Sequence, residues 1–171
     1  RKPLFYTAIG TYSIEPFHRG GQEGLYHRLA LWRTNHLFSI SNYTEAQLRR
    51  YVRSVRGMRL SPVVDREEFP LGSAPEQRRS KTMVSVGAIK PRKGLHITIE
   101  AFARIASRDP EVRYHIVGKV HHQGYFQELQ ELVKRLGLEG RVVFLHDVPH
   151  EELLNALHGA RFFALTPVQA A

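Results

Sequence analysis

The chain has 171 residues, 42% hydrophobic and 24% charged, the composition of a globular protein long enough to bury a core. It has no cysteine, which excludes disulfides and thiolate metal sites and fits a reducing compartment, and no apolar run approaches the length of a membrane span. Lys and Arg number 25 against 16 acids, and the net charge of +9 implies an anionic partner, unless missing parts of a longer parent carry balancing acids. Arg1 stands where an initiator Met would be, and Pro167 to Ala171 follow a strand-like run without a natural ending. A fragment cut at both ends is therefore expected.

In chain order, Leu4 to Ile9 reads as a buried strand, rich in aromatic and β-preferring residues. Gly10 to Gly24, with Pro16 and Gly20-Gly21, reads as a loop, and Leu25 to Trp32 as a helix. His36 to Ile40 is a short strand. Asn42 then caps a helix, with Glu45 as its reciprocal partner and Leu48, Tyr51, Val52 and Val55 inward. Met58 to Val64 is a third strand. Asp65 to Lys81 holds Pro70, Gly72, Pro75 and many charges with almost no apolar period, and reads as a connection between two α/β units.

The second unit alternates regularly. Thr82 to Gly87 is a strand, and Leu95 to Ser107 a helix with Leu95, Ile99, Phe102 and Ala106 on one face. Val112 to Val117 is a strand ending at Gly118; the next helix buries Phe126, Leu129, Val133 and Leu136, with Gly137 as its αL cap. Val142 to Leu145 is a strand. Pro149 suits a first helical position before Leu153, Leu154 and Leu157, and Arg161 to Leu165 closes the series. Short connections of this kind imply right-handed βαβ units and a parallel sheet.

In a parallel sheet the carboxyl ends of the strands share one side. Three loops therefore converge: Gly87 to Gly94, Gly118 to His122, and His146 to Pro149. Lys90, Arg92, Lys93 and Lys119 are placed to meet a diphosphate, with backbone N–H groups and the helix start at Gly94 favouring the same anion. The Asp147-Val148-Pro149 loop offers backbone groups to a base. The alternative is an ordinary strand–turn–helix with solvated cations. His121-His122 and His146 with His150 invite a metal, but no acidic cluster supports either pair, and solvent-facing or packed histidines are the favoured reading. Arg49, Arg53 and Arg56 form a stripe that suits an anionic lipid surface or a solvated helix face. No nucleophile elbow, Walker A motif or G-x-G-x-x-G is present, and the aromatic-on-basic interleaving of nucleic-acid binders is missing, so no nucleic-acid partner is expected.

Val86-Gly87-Ala88-Ile89-Lys90-Pro91-Arg92-Lys93-Gly94, then Ile99-Glu100-Ala101-Phe102, resembles the start of the donor domain of family 4 glycosyltransferases. His115 to Gly118, Leu136-Gly137-Leu138, Arg141 to Leu145, Val148 to Leu153 and Ala164 to Pro167 follow in that family's order. Upstream, Thr7 to Tyr12 and Ser39 to Thr44 are similar to late strands of its acceptor domain, and Pro62 to Phe69 to its crossover. The resemblance covers nearly the whole chain. It implies a GT-B architecture: residues 1–64 as the tail of an acceptor-side α/β domain, 65–81 as a linker, and 82–171 as the first part of a Rossmann-type, parallel-sheet donor domain.

The implied chemistry is retaining transfer, without a bound metal, of a sugar from a UDP-, GDP- or ADP-sugar to a carbohydrate or lipid-linked acceptor. Lys93 matches the family's diphosphate-binding lysine and is the implied catalytic residue. Gly87 gives the phosphates close approach, helped by Lys90 and Arg92; Gly118, Lys119 and Val148 fall on the nucleotide side, Val148 where the base is held by main-chain contacts. Gly10 and Thr11 lie on the acceptor-side loop. The implied location is cytoplasmic, at the inner face of the membrane if the arginine stripe touches lipid. The chain departs from the family at Ala88, usually arginine, and at Ile9, often histidine; the acidic E-x7-E segment would begin just after Thr166-Pro167. The fragment itself is therefore expected to be inactive, and a non-catalytic nucleotide- or partner-binding relative is the alternative.

Overall fold

A computed structural model describes residues 3–8, 13–51, 56–67 and 80–168. The chain divides into two compact units, Arg1–Pro70 and Leu71–Ala171.

In the first unit, strands β1 (Phe5–Ala8), β2 (His36–Ser39) and β3 (Arg56–Arg59) form a parallel sheet in that order. Helices α1 (Glu15–Arg19), α2 (Gly21–Trp32) and α3 (Asn42–Arg49) belong to the same unit. Ala8, Leu37, Ile14, Phe17, Leu31 and Leu48 make its core, with Tyr6 and Tyr51 packed against it. The segment read as a glycine loop is largely helical. Pro16 sits in the first turn of α1, where its missing N–H is no loss, and Gly20, at φ 68°, separates α1 from α2 instead of opening a loop. The α3 cap lies one residue earlier than expected: Ser41 is extended, and its Oγ accepts from the Thr44 amide at 3.1 Å. That shift moves Glu45 out of reach of a capping-box role, and its carboxylate pairs with Arg49 at 2.8 Å. Strand β3 ends at Arg59, and Val63 and Val64 are exposed rather than part of it. Val52 and Val55 lie outside the described residues.

In the second unit, β4 (Thr82–Val86), β5 (Arg113–Val117), β6 (Val142–Leu145) and β7 (Phe162–Phe163) form a parallel sheet of order β6-β5-β4-β7. The helices are α4 (Leu95–Ala106), α5 (Gln123–Arg135) and α6 (His150–His158). Alternation along the strands sends Tyr114, Ile116 and Val142 to the face carrying α4 and α5, where they meet Ile99, Phe102, Phe126, Leu129 and Val133. Burying each of these large side chains contributes on the order of 1.5–3 kcal/mol against the entropy of ordering it. Leu136, expected inside, caps α5 and is 37% exposed, because the helix ends at Arg135; Leu132 and Leu138 take the inward places. Pro149 is the residue before α6 rather than its first, with ψ 155° outside the helical range. The closing strand is only two residues long.

The tips of β4 and β5 approach unusually closely. Gly87 and Gly118 follow the register pair Val86–Val117 and have φ of 145° and 144°, a region side-chain-bearing residues avoid. A Cβ on Gly118 would collide with the Gly87 carbonyl. The Gly87 amide donates to Val117 at 2.8 Å, and the Gly118 amide to Leu145 at 3.0 Å. Beyond the glycines the two segments pair again at Ile89 and Val120, with the Ile89 amide donating to Lys119 at 2.8 Å and the His121 amide to Ile89 at 3.1 Å.

Gly118→Ala is expected to lower stability by more than about 2 kcal/mol, since φ strain and the carbonyl clash act together; urea denaturation measures it, and a loss under half of that would show the strand tips can part. Burial holds the His115 imidazole below its ordinary value. The folded chain thus resists a proton that the unfolded chain accepts, and this contribution is present above about pH 6.5 and lost as pH falls through the depressed folded value. The thermal midpoint is expected to drop on the acid side, and His115→Gln to flatten that drop; parallel profiles for the two proteins would remove His115 as a cause.

Candidate functional site

A cavity of about 340 Å³ opens at the carboxyl ends of β4, β5 and β6, beside the start of α6. Its lining brings together Gly87, Ala88, Gly118, Lys119, His121, Asp147, Val148, His150 and Leu153. The parallel register puts these tips on one side, and the paired loops at Ile89 and Val120 set Ala88 and Lys119 beside each other. Gly87, Gly118, Lys119 and Val148 all line this cavity. Among the lining residues Lys119 is the cation and Asp147 the anion, the carboxylate lying 3.5 Å from His146 Nδ1. Asp147 is left-handed, at φ 57°, a conformation aspartate tolerates better than most residues.

Lys93 occupies a narrower crevice with Ser85, Val86, Gly87, Leu95 and Leu165, and Val86 and Gly87 are common to both spaces. It ends a 3-10 turn, Pro91–Lys93, closed by the Lys93 amide on the Lys90 carbonyl at 2.9 Å. Its Nζ lies 3.3 Å from the point a Cβ on Gly87 would occupy, so the missing side chain of Gly87 makes room for the ammonium group. Lys90 and Arg92 line neither space. Lys90 is the extended residue before the turn, and Arg92 is exposed. Of the four cations expected to converge, Lys119 lines the cavity and Lys93 the adjoining crevice.

The start of α4 does not offer its amides to an anion. The Tyr125 hydroxyl, from α5, accepts from the His96 amide at 3.2 Å and meets His96 Nδ1 at 2.8 Å. The Ile97 and Thr98 amides turn back to the Gly94 carbonyl at 3.0 and 3.4 Å. Since the Gly87 and Gly118 amides serve the sheet ladder, these backbone groups cannot supply the phosphate contacts read from the sequence, and charge at the site comes from side chains. Burial raises the Tyr125 phenol above its ordinary value, which keeps the capping hydroxyl neutral.

Gly10, Thr11, Ile9 and Arg53 lie outside the described residues, as does the Arg56 side chain. Arg49 is held by Glu45, which offsets its charge. Among the described residues no three of His, Asp or Glu gather as metal ligands, and no helix is long and apolar enough to cross a membrane. Sequence reasoning missed Tyr125 as a cap and His150 and Leu153 as cavity wall. Parallel-sheet geometry was a signal for the latter two, because they begin the helix after a strand tip; the former, 29 positions from His96, leaves no local pattern.

The profile of the group 1 glycosyl transferases matches residues 69–168. The chain is 31% identical over 114 residues to mannosylfructose-phosphate synthase of Agrobacterium fabrum, covering 60% of this chain and 25% of that protein. It is 33% identical over 88 residues to a GDP-mannose-dependent α-(1-6)-phosphatidylinositol monomannoside mannosyltransferase of Mycolicibacterium smegmatis, covering 52% and 21%. The chain therefore spans about a quarter of the length of these relatives. Its fold is that of HepE from Anabaena, solved in complex with UDP, with a TM-score of 0.76 at 22% identity over 98% of this chain and 47% of that one. Sucrose-phosphate synthase of Thermosynechococcus elongatus has the same fold, with a TM-score of 0.69 at 18% identity over 93% and 43%.

Tyr125→Phe keeps the ring and deletes the acceptor for the His96 amide. It is expected to cost about 1–3 kcal/mol in denaturant titrations. An unchanged midpoint would mean that water caps this helix equally well.

Proposed function

From the membership of this chain in the group 1 glycosyl transferases, we propose that it carries donor-binding machinery for transfer of a sugar from a nucleoside diphosphate sugar to a carbohydrate or lipid-linked acceptor. The observation that carries the reading is the cavity at three strand tips with Lys93 directly beside it, over Gly87. Its volume, about 340 Å³, falls within the range of roughly 300–1,000 Å³ for small-molecule sites. The reading is supported by HepE, solved with UDP and with UDP-glucose, and by the GDP-mannose-dependent relative. Residues 82–171 would then hold the donor, and 1–64 would belong to the acceptor side.

The reaction breaks the bond between the anomeric carbon and the diphosphate, so negative charge grows on the leaving oxygen. A fixed ammonium in a partly desolvated crevice stabilises the diphosphate more as its leaving oxygen gains charge than in the intact, already anionic donor, which is the condition for lowering the barrier. Lys93 has this role. Lys119 offsets the charge of the bound nucleotide from the next strand tip, and Val148 meets the base through its main chain. Retention of configuration, independence of a metal ion and a location at the cytoplasmic side rest on the resemblance to family 4.

A second reading, a nucleotide-binding relative without catalysis, draws on one observation. Ala88 contributes no charge to the cavity wall, and neither Lys90 nor Arg92 lines the cavity in its stead. Release of nucleoside diphosphate from a panel of UDP-, GDP- and ADP-sugars, measured on the intact parent, decides between the two, turnover favouring the enzyme.

Lys93→Ala is expected to weaken nucleoside diphosphate binding about 10- to 100-fold, the worth of a charge-assisted hydrogen bond. Isothermal titration of both proteins with UDP, GDP and ADP measures it. Equal affinities would remove Lys93 from the site.

A further inference from the structure

Two hydroxyl pairs tie the second unit together, one at the centre of its sheet and one at the Lys93 turn. Ser85 and Tyr114, on neighbouring strands, are 2.7 Å apart, and Ser85 also donates to the Ala164 carbonyl. Thr98 Oγ1 lies 2.7 Å from Thr166 Oγ1, which donates to the Gly94 carbonyl at 2.8 Å. One proton per hydroxyl sets the direction: with the Thr166 proton on Gly94, the Thr98 proton must go to Thr166. Ser85, Tyr114 and Thr98 are buried, so each link is costly to break.

The segment carrying Thr166 grips the carbonyls of both residues that flank Lys93. The Val168 amide donates to the Arg92 carbonyl at 3.0 Å, and Thr166 holds the Gly94 carbonyl on the other side. Gly94 is left-handed, at φ 62°, and a Cβ there would run into the Thr166 carbonyl, so the two backbones are in close contact. Leu165 of the same segment lines the crevice that holds Lys93.

We propose that Thr166, backed by the buried Thr98, is a positioning residue that fixes the Lys93 turn so that its ammonium group stays over Gly87 and meets the donor diphosphate. The inference rests on the donor-site reading of Lys93. Lysine has four rotatable bonds beyond its Cα, and an unanchored turn would add backbone freedom to them. The hydroxyl relay removes the backbone part of that freedom before ligand arrives.

The test is a set of titrations with UDP, GDP and ADP on the wild type, Thr166→Val, Thr166→Ser, Lys93→Ala and the Thr166→Val/Lys93→Ala double variant, with thermal midpoints for each. Thr166→Val is nearly isosteric and is expected to weaken affinity about three- to tenfold, the range of one net hydrogen bond. Thr166→Ser restores the hydroxyl and is expected to bind within about twofold of the wild type. In the Lys93→Ala background Thr166→Val is expected to change affinity less than about twofold, because its effect passes through the lysine. A purely structural role would instead weaken both backgrounds alike, and that result overturns the proposal. Wild-type affinity in Thr166→Val also overturns it, while the loss in Lys93→Ala leaves the donor site standing. Failure of the folded wild type to bind any of the three ligands removes the donor site itself. If Thr166→Val does not fold, Thr98→Val, which cuts the relay one link earlier, is read by the same criteria.

Discussion

Gly87 and Gly118 have no room for side chains between them. The Gly87 carbonyl stands where a Cβ on its neighbour would go, and both residues take backbone angles that only glycine adopts freely. This contact lets β4 and β5 turn together at their tips and then pair again at Ile89 and Val120. The doubled turn makes the floor of the cavity, sets Lys119 next to Ala88 and leaves an empty place over Gly87 that Lys93 fills. A single methyl group at either glycine would disturb all three.

Helix starts and glycine turns attract anions in many α/β proteins because their amides are unpaired. Here those amides are committed elsewhere. Tyr125 seals the start of α4, and the sheet ladder uses the glycine N–H groups. In the proposed donor site, attraction therefore falls to the ammonium groups of Lys93 and Lys119, with Asp147 as the opposing charge. Point charges on side chains are more readily screened by salt than buried dipoles, so the electrostatics of this site are those of its lysines.

Much of the second unit was legible in the sequence. Its helices carry apolar residues at helical spacing, and Leu95, Ile99, Phe102, Phe126, Leu129 and Val133 are inside as that spacing requires. The errors cluster where geometry rather than composition decides. Ser41 and Asn42 are both good caps, and only the backbone angle at Ser41 selects it. Leu136 continues the apolar period, yet the helix stops one residue before it. The stretch before Leu25 holds glycines that usually mark loops, but Glu15 and Pro16 start a helix there. Of the site, the strand tips could be read from the parallel-sheet rule. The sealing of α4 by Tyr125 and the grip of Thr166 on Gly94 join residues far apart in the chain, and no local pattern records them.

The two sides of the cavity differ in firmness. Its floor is laced by main-chain bonds and backed by fully buried residues such as Ile89, Val117 and Ile116. On the α6 side no residue of the helix is fully buried, and Leu153, Leu154 and Leu157 are only partly covered. Regions with few enclosed apolar groups open at lower free energy than the rest of a domain. In the proposed donor site, adjustment to molecules of different size would thus fall to the α6 wall, and substitutions in that helix would alter its fit without disturbing the glycine floor.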